Sequence, residues 1–355
     1  MDVIRILYVT KLKNTMANGV TAAVTQLMNS ICIYAVVGWL DVGNVDIDVD
    51  NRIERYDLSN WESFNADIAV FEDPFNTLFF CKISKQLRKR KIPYIIAPHG
   101  CFNKIALRNH YLKKIIAINT VFRCYLNGCI ATQFLCDGEK DKSISFSDSI
   151  IIPNGIMMND NCRVVKNVKK MVFIGRKNVK NKGIDDLLMA VNLKKRVLES
   201  QGIKIGIYGS IESQNDEDFI NSYIYNNSLQ NIVTNNGPVF GADKEKILND
   251  ADVFISTSRH EGFPMSILEG LSYGLPVLVT RGTNMYDMVK NAKAGWVCDN
   301  SVEDIALTLD KVSSEKDVEC LSGNARNLSL KYSWEKISED TIKMYGELIR
   351  NYRKV

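Results

Sequence analysis

Short apolar runs alternate along the chain with longer amphipathic stretches, and this alternation predicts an α/β protein. In the first half the runs predict strands at 4–10, 68–71, 94–97, 128–131 and 150–152, and the stretches predict helices at about 20–32, 75–90 and 110–127. The second half repeats the rhythm, with strands predicted at 171–174, 204–208, 231–234, 253–256, 276–279 and 295–298. Because parallel strands need crossover helices between them, the pattern predicts two doubly wound parallel sheets.

A break in the pattern predicts where the first domain ends. A Pro-Asn-Gly turn signal lies within residues 152–155, and a polar stretch follows at 159–170. We therefore expect one domain at 1–165 and a second at 166–332, both of ordinary size. Ser333 is a candidate N-cap for a final amphipathic helix over 333–355.

The amino-acid composition indicates a folded protein whose cysteines are reduced. The 46% of hydrophobic and 24% of charged residues are close to the average of soluble domains. The nine cysteines contain no C-x-x-C pair, so we expect small buried thiols rather than a disulfide framework or a zinc site. The N-terminal run carries Arg5 and no cleavage site, and no apolar run reaches about 18 residues. We expect a cytoplasmic protein without a signal peptide or a membrane span.

The net charge of +4 is unevenly distributed. No Asp or Glu lies between Pro74 and Cys136, where basic side chains alternate with apolar ones. A mixture of this kind is suited to an anionic membrane surface or a polyanionic acceptor, and a solvated helix face is the alternative. No known nucleic-acid motif accompanies the charge, so we expect no nucleic-acid partner. The basic residues are Lys82, Lys85, Arg88, Lys89, Arg90, Lys91, Lys104, Arg108, Lys113, Lys114 and Arg123.

The loop at 258–269 carries the densest candidate chemistry, because ligands of open parallel sheets bind at the carboxyl ends of strands. A helix is predicted to open near Pro264, and free amides at its start would bind a diphosphate. Glu261 and Glu269 bracket this start and can accept hydrogen bonds from sugar and ribose hydroxyls. The other candidate binding residues of this loop are Gly262, Phe263, Pro264, Met265 and Ser266.

A second loop, at 175–183, offers cations for a phosphate. Gly175 permits close backbone approach, and Arg176 and Lys182 would neutralise the β-phosphate as a glycosidic bond breaks. Exposed surface cations are the alternative. Later strand ends offer places where a nucleobase could stack or pair with the backbone; these are Tyr208, Gly209, Val239 and Phe240.

Two first-domain loops complete the candidate set. Gly19 follows the first predicted strand and would let a helix start approach the phosphates of a bound nucleotide ligand. His99, one of three histidines, follows the strand at 94–97, where its imidazole could touch a transferred sugar. A packed or surface histidine is the structural alternative.

Several enzyme classes lack their motifs here. No G-x-G sequence and no P-loop occur, which argues against a nicotinamide dehydrogenase and a P-loop nucleotidase. Two D-x-D patterns would suit a metal-dependent transferase, at 46–50 and 250–252. We discount both, because the first alternates like a half-exposed strand and the second lies at a helix end.

Taken in order, these motifs resemble family 4 of the retaining glycosyltransferases. The resemblance spans nearly the whole chain and is carried by Pro98-His99-Gly100, Asn154-Gly155-Ile156, Gly175-Arg176, Lys182-Gly183-Ile184, the spacing of Glu261 and Glu269, and Gly274-Leu275-Pro276-Val277. It implies the GT-B fold, in which two Rossmann-like α/β domains face each other across a cleft and the last helix returns to the first domain. One departure is Asn18-Gly19, where the family often has two adjacent glycines.

The resemblance also implies an activity and residue roles. It implies transfer of a sugar from a UDP or GDP sugar to a saccharide acceptor, with retention and front-face attack, and without a metal ion or other cofactor. Arg176 and Lys182 would bind the diphosphate, Glu269 the ribose, Glu261 and the 263–266 backbone the sugar and phosphate, and His99 the reacting centre. The similarity is to bacterial enzymes of O-antigen or capsule synthesis, whose acceptors are polyprenyl-diphosphate-linked, on the inner face of the membrane. A nucleotide-sugar epimerase, a phosphorylase and an inactive sugar-binding protein are alternatives on the same fold.

Overall fold

The chain folds as two compact units. The computed structural model describes residues 3–15, 18–72, 78–104, 116–159 and 163–354, and the statements below concern these residues. The first unit comprises residues 1–155 and 334–355, and the second comprises residues 156–333. The boundary precedes the expected position 165, because Val165 is fully buried in the second unit's core and its amide donates to Ser322 Oγ over 3.1 Å.

The first unit is built on a seven-stranded parallel sheet with the order β3-β2-β1-β4-β5-β6-β7. Its strands are β1 (Arg5–Thr10), β2 (Val36–Asp41), β3 (Glu54–Tyr56), β4 (Ile68–Glu72), β5 (Tyr94–Ala97), β6 (Ala131–Phe134) and β7 (Asp148–Ile151). Its described helices are α1 (Gly19–Ile31), α2 (Phe79–Lys89), α3 (Arg123–Leu126) and α4 (Asp137–Lys142). The predicted helix at 110–127 lies partly outside the described residues.

Sequence patterning missed β2 and β3 and shifted β6. Residues 31–37 are apolar without interruption, so no Gly or Pro signal marks the turn that separates α1 from β2. The strand predicted at 128–131 instead begins at Ala131, because Asn127 and Gly128 form the turn that follows α3. The D-x-D stretch at 46–50, expected as a half-exposed strand, is irregular, with Ile47 buried.

The last helix packs on the first unit. This helix is α14 (Trp334–Tyr352). Helices α5 to α13 belong to the second unit and are given below. Helix α14 packs against α1, and the Tyr345 hydroxyl donates to Gln133 Oε1 over 2.7 Å in a fully buried contact. Burial of its apolar face, which includes Ile337 and Ile349, therefore stabilises the first unit.

The second unit has a six-stranded parallel sheet with the order β10-β9-β8-β11-β12-β13. Its strands are β8 (Lys170–Ile174), β9 (Lys204–Tyr208), β10 (Val233–Asn236), β11 (Val253–Ser256), β12 (Val277–Thr280) and β13 (Gly295–Cys298). Its helices are α5 (Val179–Lys182), α6 (Ile184–Leu193), α7 (Lys195–Ser200), α8 (Gln214–Asn226), α9 (Gly241–Asp250), α10 (Met265–Ser272), α11 (Tyr286–Ala292), α12 (Val302–Ser314) and α13 (Val318–Leu330). Apolar clusters cover both faces of the sheet, as the crossover helices require.

The described cysteines are free thiols, although Cys124 and Cys320 are exposed rather than buried as expected. Cys162 lies outside the described residues. No helix within the described ranges is long and apolar enough to cross a bilayer.

Candidate functional site

The loop after β8 lies directly against the loop after β9. The Gly175 amide donates to Tyr208 O over 3.0 Å, and a Cβ on Gly209 would lie 1.7 Å from Gly175 O. Only glycine fits at position 209. Arg176 extends from this crossing with 73% of its side chain exposed, and its guanidinium lies 4.0 Å from Glu212. The predicted cation is thus accessible to a ligand.

Its neighbour Lys177 has a different role. The side chain is 1% exposed, and its ammonium contacts Glu217 Oε2 at 2.7 Å and donates to Asn235 Oδ1 at 2.9 Å and to Asn236 O at 3.1 Å. With its donors used within the protein, Lys177 ties the β8 loop to α8 and to the end of β10. The sequence offered no signal to separate this structural lysine from its two neighbouring candidates.

Lys182 and Glu261, which come from different predicted loops, form an ion pair. Their side chains are 18% and 15% exposed, and the Ser258 hydroxyl donates to Glu261 Oε1 over 2.7 Å. The loops meet because Gly183, at a left-handed φ of 62°, allows Thr257 O to approach; a Cβ there would lie 2.2 Å from that oxygen. The structure therefore brings the candidate phosphate cation and the candidate sugar carboxylate together.

Arg259 fixes the same two loops to each other. Its amide donates to Asn181 O over 2.9 Å, and its guanidinium contacts Asp185 at 2.7 Å and Asp186 at 2.5 Å. Burial raises the pKa of the Asp185 carboxyl, but hydrogen bonds from Arg259 and Lys180 outweigh it and hold this pKa below its usual range. The ionised pair keeps the 258–262 loop in place.

The loop after β12 supports Glu261 from the other side. The Glu261 amide donates to Gly282 O over 3.0 Å, and the Asn284 side-chain amide donates to Glu261 O over 2.6 Å and to Gly262 O over 3.0 Å. Asn284 has a left-handed φ of 59°, which asparagine tolerates better than most residues. Sequence reasoning missed Asn284 and Ser258; their position at strand ends was the available signal.

The helix start after Glu261 is present, with one correction. Pro264 precedes α10 and no side chain caps this helix, but the Met265 amide donates to Phe263 O over 3.1 Å and is not free as expected. The prediction took the amides of Phe263, Met265 and Ser266 as open, whereas here the tight bend at Pro264 closes that of Met265. Ser266 lies in the first turn, and a Cβ at Gly262 would meet no atom within 4 Å, so the approach is open.

Glu269, one turn into α10, does not touch Glu261 in the described contacts. Its carboxylate forms an ion pair with Lys244 of α9, and the two side chains are 28% and 25% exposed. The sequence analysis had not identified Lys244 as a candidate site residue. Of the candidate residues for the nucleobase, Tyr208 and Val239 are partly buried against the core, whereas Phe240 is 75% exposed, as a stacking surface would be.

In the first unit, Gly19 is the first residue of α1. Asn18 caps this helix, its Oδ1 accepting from the Thr21 amide at 3.1 Å. A Cβ at Gly19 would meet nothing within 4 Å. The protein itself thus does not require glycine at position 19.

His99 is held by a residue that the sequence reasoning missed. Its Nε2 lies 2.5 Å from Glu72 Oε2, and the two side chains are 9% and 1% exposed. An acidic residue that ends a fully buried strand, as in the 68–72 sequence IAVFE, was the available signal.

The D-x-D pattern at 250–252 has a structural role. Asp252 pairs with Arg163 at 2.6 Å and accepts the amides of Lys169 and Lys170, each at 2.8 Å, while Asp250 pairs with Lys170. Within the described ranges, no three His, Cys, Asp or Glu side chains are grouped so that they could hold a metal ion. The expectation of a metal-free reaction stays a prediction.

Comparison with known proteins finds a family similarity for these loops. Residues 161–327, nearly the whole second unit, match the family described as glycosyl transferases group 1. The Lys182–Glu261 pair, the α10 start and Glu269 all lie inside the matched region. The expected resemblance to glycosyltransferases is confirmed, whereas the family 4 assignment and the retaining mechanism stay predictions.

Curated relatives agree with this assignment. The chain is 28% identical over 210 residues to an uncharacterized glycosyltransferase of Methanocaldococcus jannaschii, covering 58% of this chain and 50% of that protein. It is 25% identical over 237 residues to a capsular polysaccharide biosynthesis glycosyltransferase of Staphylococcus aureus, covering 62% and 59%. A UDP-Gal:alpha-D-GlcNAc-diphosphoundecaprenol alpha-1,3-galactosyltransferase of Escherichia coli is 35% identical over 86 residues, covering 24% and 22%. The alignments thus span between 22% and 59% of the length of these relatives.

Solved structures establish the fold. A glycosyltransferase from Rickettsia africae matches with a TM-score of 0.73 at 17% identity, covering 99% of this chain and 100% of that one. An Anabaena protein solved in complex with UDP and glucose matches with a TM-score of 0.67 at 14% identity, covering 97% and 100%. The predicted α/β GT-B class, with two Rossmann-like units, is confirmed.

Proposed function

We propose that this chain, whose second unit matches group 1 glycosyl transferases, transfers a sugar from a nucleotide diphosphate sugar to a saccharide acceptor with retention of configuration. The observation that carries the proposal is the Lys182–Glu261 ion pair at the carboxyl ends of β8 and β11, beside the open helix start at Pro264. A cation, a carboxylate and helix amides in one place suit a diphosphate bonded to a polyol.

Each proposed role follows from charge and exposure. Arg176 and Lys182 neutralise the leaving diphosphate, Glu261 binds sugar hydroxyls, and Glu269 binds the ribose after exchanging Lys244 for a hydroxyl. Phe240, whose side chain is exposed, offers a face to the base. The first unit binds the acceptor, and His99 contacts the transferred sugar.

Front-face attack needs no carboxylate nucleophile, because the leaving diphosphate oxygen takes the proton of the incoming hydroxyl. We assign Glu261 a binding role for this reason, and because its oxygen is already engaged by Lys182 and Ser258. No metal is needed where two protein cations stabilise the leaving group.

The donor and acceptor classes are proposed from relatives. UDP is the nucleotide in the E. coli relative's name and in the Anabaena complex, and the E. coli relative's name gives a diphosphoundecaprenol-linked acceptor. The S. aureus relative acts in capsular polysaccharide biosynthesis. We propose a UDP sugar donor before a GDP sugar, and a lipid-linked saccharide acceptor in surface polysaccharide synthesis.

A basic helix face supports a peripheral location on the inner membrane surface. On α2 the buried residues are Phe80, Ile83, Ser84 and Leu87, while Phe79 is 41% exposed with the Lys82 ammonium 5.5 Å from its ring centroid. Residues 105–115 of the predicted basic stretch lie outside the described part of the chain. Anionic liposomes at low salt should retain the protein, and neutral liposomes should not.

The decisive experiment screens UDP and GDP sugars for thermal stabilisation and then for transfer to an undecaprenyl-diphosphate-linked saccharide. We expect one donor to stabilise the protein and to yield a product whose new bond keeps the anomeric configuration of the donor. A product of inverted configuration would contradict retention. Conversion of the donor without an acceptor would identify an epimerase instead, and stabilisation without any turnover would identify a sugar-binding protein.

A further inference from the structure

The ion pair between Lys244 and Glu269 joins the first turns of two helices in the second unit. Lys244 lies one turn into α9, where its amide donates to Phe240 O over 3.4 Å, and Glu269 lies one turn into α10. The Lys244 ammonium donates to Glu269 Oε2, and the two side chains are 25% and 28% exposed. Both charges are thus within reach of a ligand from solvent.

The two helices that carry this pair pack on the same face of the second sheet. Leu248 of α9 and Leu271 of α10 are buried in one apolar cluster, at 1% and 0% exposure. Because α9 follows β10 and α10 follows β11, both helices start at the carboxyl edge of the sheet, where ligands of open parallel sheets bind. The core thus fixes the backbone positions from which the Lys244 and Glu269 side chains extend.

The two helix starts offer features suited to opposite ends of a nucleotide. Phe240, which precedes α9, is 75% exposed and offers a ring to a base. The start of α10 at Pro264 offers backbone amides to a diphosphate. Since the ribose of a nucleotide joins its base to its diphosphate, a nucleotide held at both helix starts carries its ribose past Lys244 and Glu269.

An ammonium beside a carboxylate matches two neighbouring hydroxyls. The Glu269 carboxylate only accepts hydrogen bonds and the Lys244 ammonium only donates them, while each ribose hydroxyl can do both. Two bonds to charged groups can therefore offset the loss of the direct ion pair. Burial first, and then the charges of Glu245 and Glu269, raises the pKa of the nearby Tyr273 hydroxyl. Tyr273 therefore stays protonated and adds no negative charge that would compete for Lys244.

We propose that Lys244 is a specificity-determining residue for the nucleotide: it donates to one hydroxyl of the ribose while Glu269 accepts from the other. The inference rests on the proposed function, through the assignment of the ribose to Glu269. It adds a second ribose-binding residue and a defined polarity, because the two hydroxyls insert between the ammonium and the carboxylate. Lys244 therefore strengthens nucleotide binding and does not merely occupy Glu269 in the free protein.

Calorimetric titration with UDP, 2′-deoxy-UDP and 3′-deoxy-UDP tests this assignment without any turnover. In the wild-type protein, removal of either hydroxyl should raise the Kd at least about 10-fold, since each removal leaves a charged group without its partner. In Lys244→Met we expect UDP to bind at least about 10-fold more weakly, while the deoxy nucleotide that lacks the hydroxyl bound by Lys244 keeps its Kd within about 2-fold. Glu269→Gln should instead remove most of the discrimination against the other deoxy nucleotide.

The direction of the change in Lys244→Met separates this role from two others. If Lys244 only occupies Glu269, its removal frees the carboxylate and UDP binds more tightly, which would overturn the proposal. If Lys244 only supports the fold, the Kd values of UDP and of both deoxy nucleotides rise by the same factor, which would overturn it too. Lys244→Arg keeps the charge and the donors and should recover most of the affinity for UDP. Lys244→Gln tests the same outcomes if Lys244→Met does not fold.

Lys246→Met is the matched control, because Lys246 is an exposed lysine of the same helix and its loss changes the net charge equally. Its Kd values should stay within about 2-fold of those of the wild type. An equal rise of the UDP Kd in Lys246→Met and Lys244→Met would show a general effect of charge and overturn the proposal. If neither UDP nor GDP binds, the proposed function fails and the inference with it. If UDP binds and no sugar is transferred, the proposed function fails, whereas the Kd values still decide the role of Lys244.

Discussion

The Lys182 ammonium and the Glu261 carboxylate form an ion pair that joins the loop after β8 to the loop after β11. Ser258 donates to the same carboxylate oxygen over 2.7 Å, so Glu261 is held by two partners before any ligand binds. A diphosphate that approaches Lys182 competes with Glu261 for the cation. In the proposed function, donor binding would include the loss of this contact, and the sugar would supply new partners for the carboxylate.

Glu261→Gln should have different effects on the affinity for UDP and on the affinity for the UDP sugar. Without the carboxylate charge, Lys182 is available, so we expect UDP alone to bind as tightly as before or more tightly. The UDP sugar should bind at least about 10-fold more weakly, because charge-assisted bonds to its hydroxyls are lost. Calorimetric titration with UDP and with the UDP sugar measures both values, and equal loss of both would contradict the sugar role. Lys182→Met is the companion variant, which should weaken both ligands.

Arg176→Ala should reduce turnover by about 100-fold or more, because the exposed guanidinium is proposed to stabilise the leaving diphosphate in the transition state. Arg196→Ala is the matched control. Arg196 is exposed on α7, which leads into the opposite, amino end of β9. Steady-state kinetics at saturating donor should show near-normal kcat for the control, and near-normal kcat in Arg176→Ala would remove this residue from the mechanism.

Gly19→Ala and Gly183→Ala should have different effects on the free energy of unfolding. A Cβ at Gly19 meets no protein atom, so stability should stay constant or rise by up to about 1 kcal/mol, whereas turnover falls if donor phosphates approach this helix start. Gly183→Ala places a Cβ 2.2 Å from Thr257 O at a left-handed φ, and should cost about 2 kcal/mol or more. Denaturant unfolding measures both changes. Full activity in Gly19→Ala would exclude close contact of the donor with Gly19.

Lys177→Ala should destabilise the second unit by about 3–5 kcal/mol, because it leaves the Glu217 carboxylate without its cation in a partly buried site. Lys180→Ala is the control: its side chain is 84% exposed, and its pair with Asp185 should contribute at most about 1 kcal/mol. Chemical denaturation of the two variants tests the contrast. A smaller loss of stability in Lys177→Ala than in Lys180→Ala would show that the buried contacts of Lys177 are not stabilising.

Removal of divalent metal should leave the transfer rate unchanged, since Arg176 and Lys182 are proposed to carry the charge compensation. The measurement is initial rate after dialysis against EDTA, with an added Mg²⁺ series as the reference. Activity that disappears with EDTA and returns with Mg²⁺ would contradict a metal-free reaction. It would make the Asp residues at 46–50 and the loops around them candidates for the metal site.

Much of the architecture follows from local pattern. The strands at β4, β5, β9 and β11 were predicted within one residue, because each is a short apolar run bounded by clear turn or polar signals. β2 escaped detection because the turn before it is apolar, and β6 was placed too early because the apolar Cys129 and Ile130 precede it.

The sequence by itself determined two α/β halves, the loops that carry chemistry and the types of side chain available there, since strand order along the chain places loops at carboxyl ends. Only the tertiary structure decided which of those side chains meet. It buried Lys177 while leaving Arg176 exposed, paired Lys182 with Glu261, and set Glu72 beside His99. The physical reason is that these contacts depend on sheet register and on close backbone approaches at residues such as Gly183, which join residues far apart in the chain.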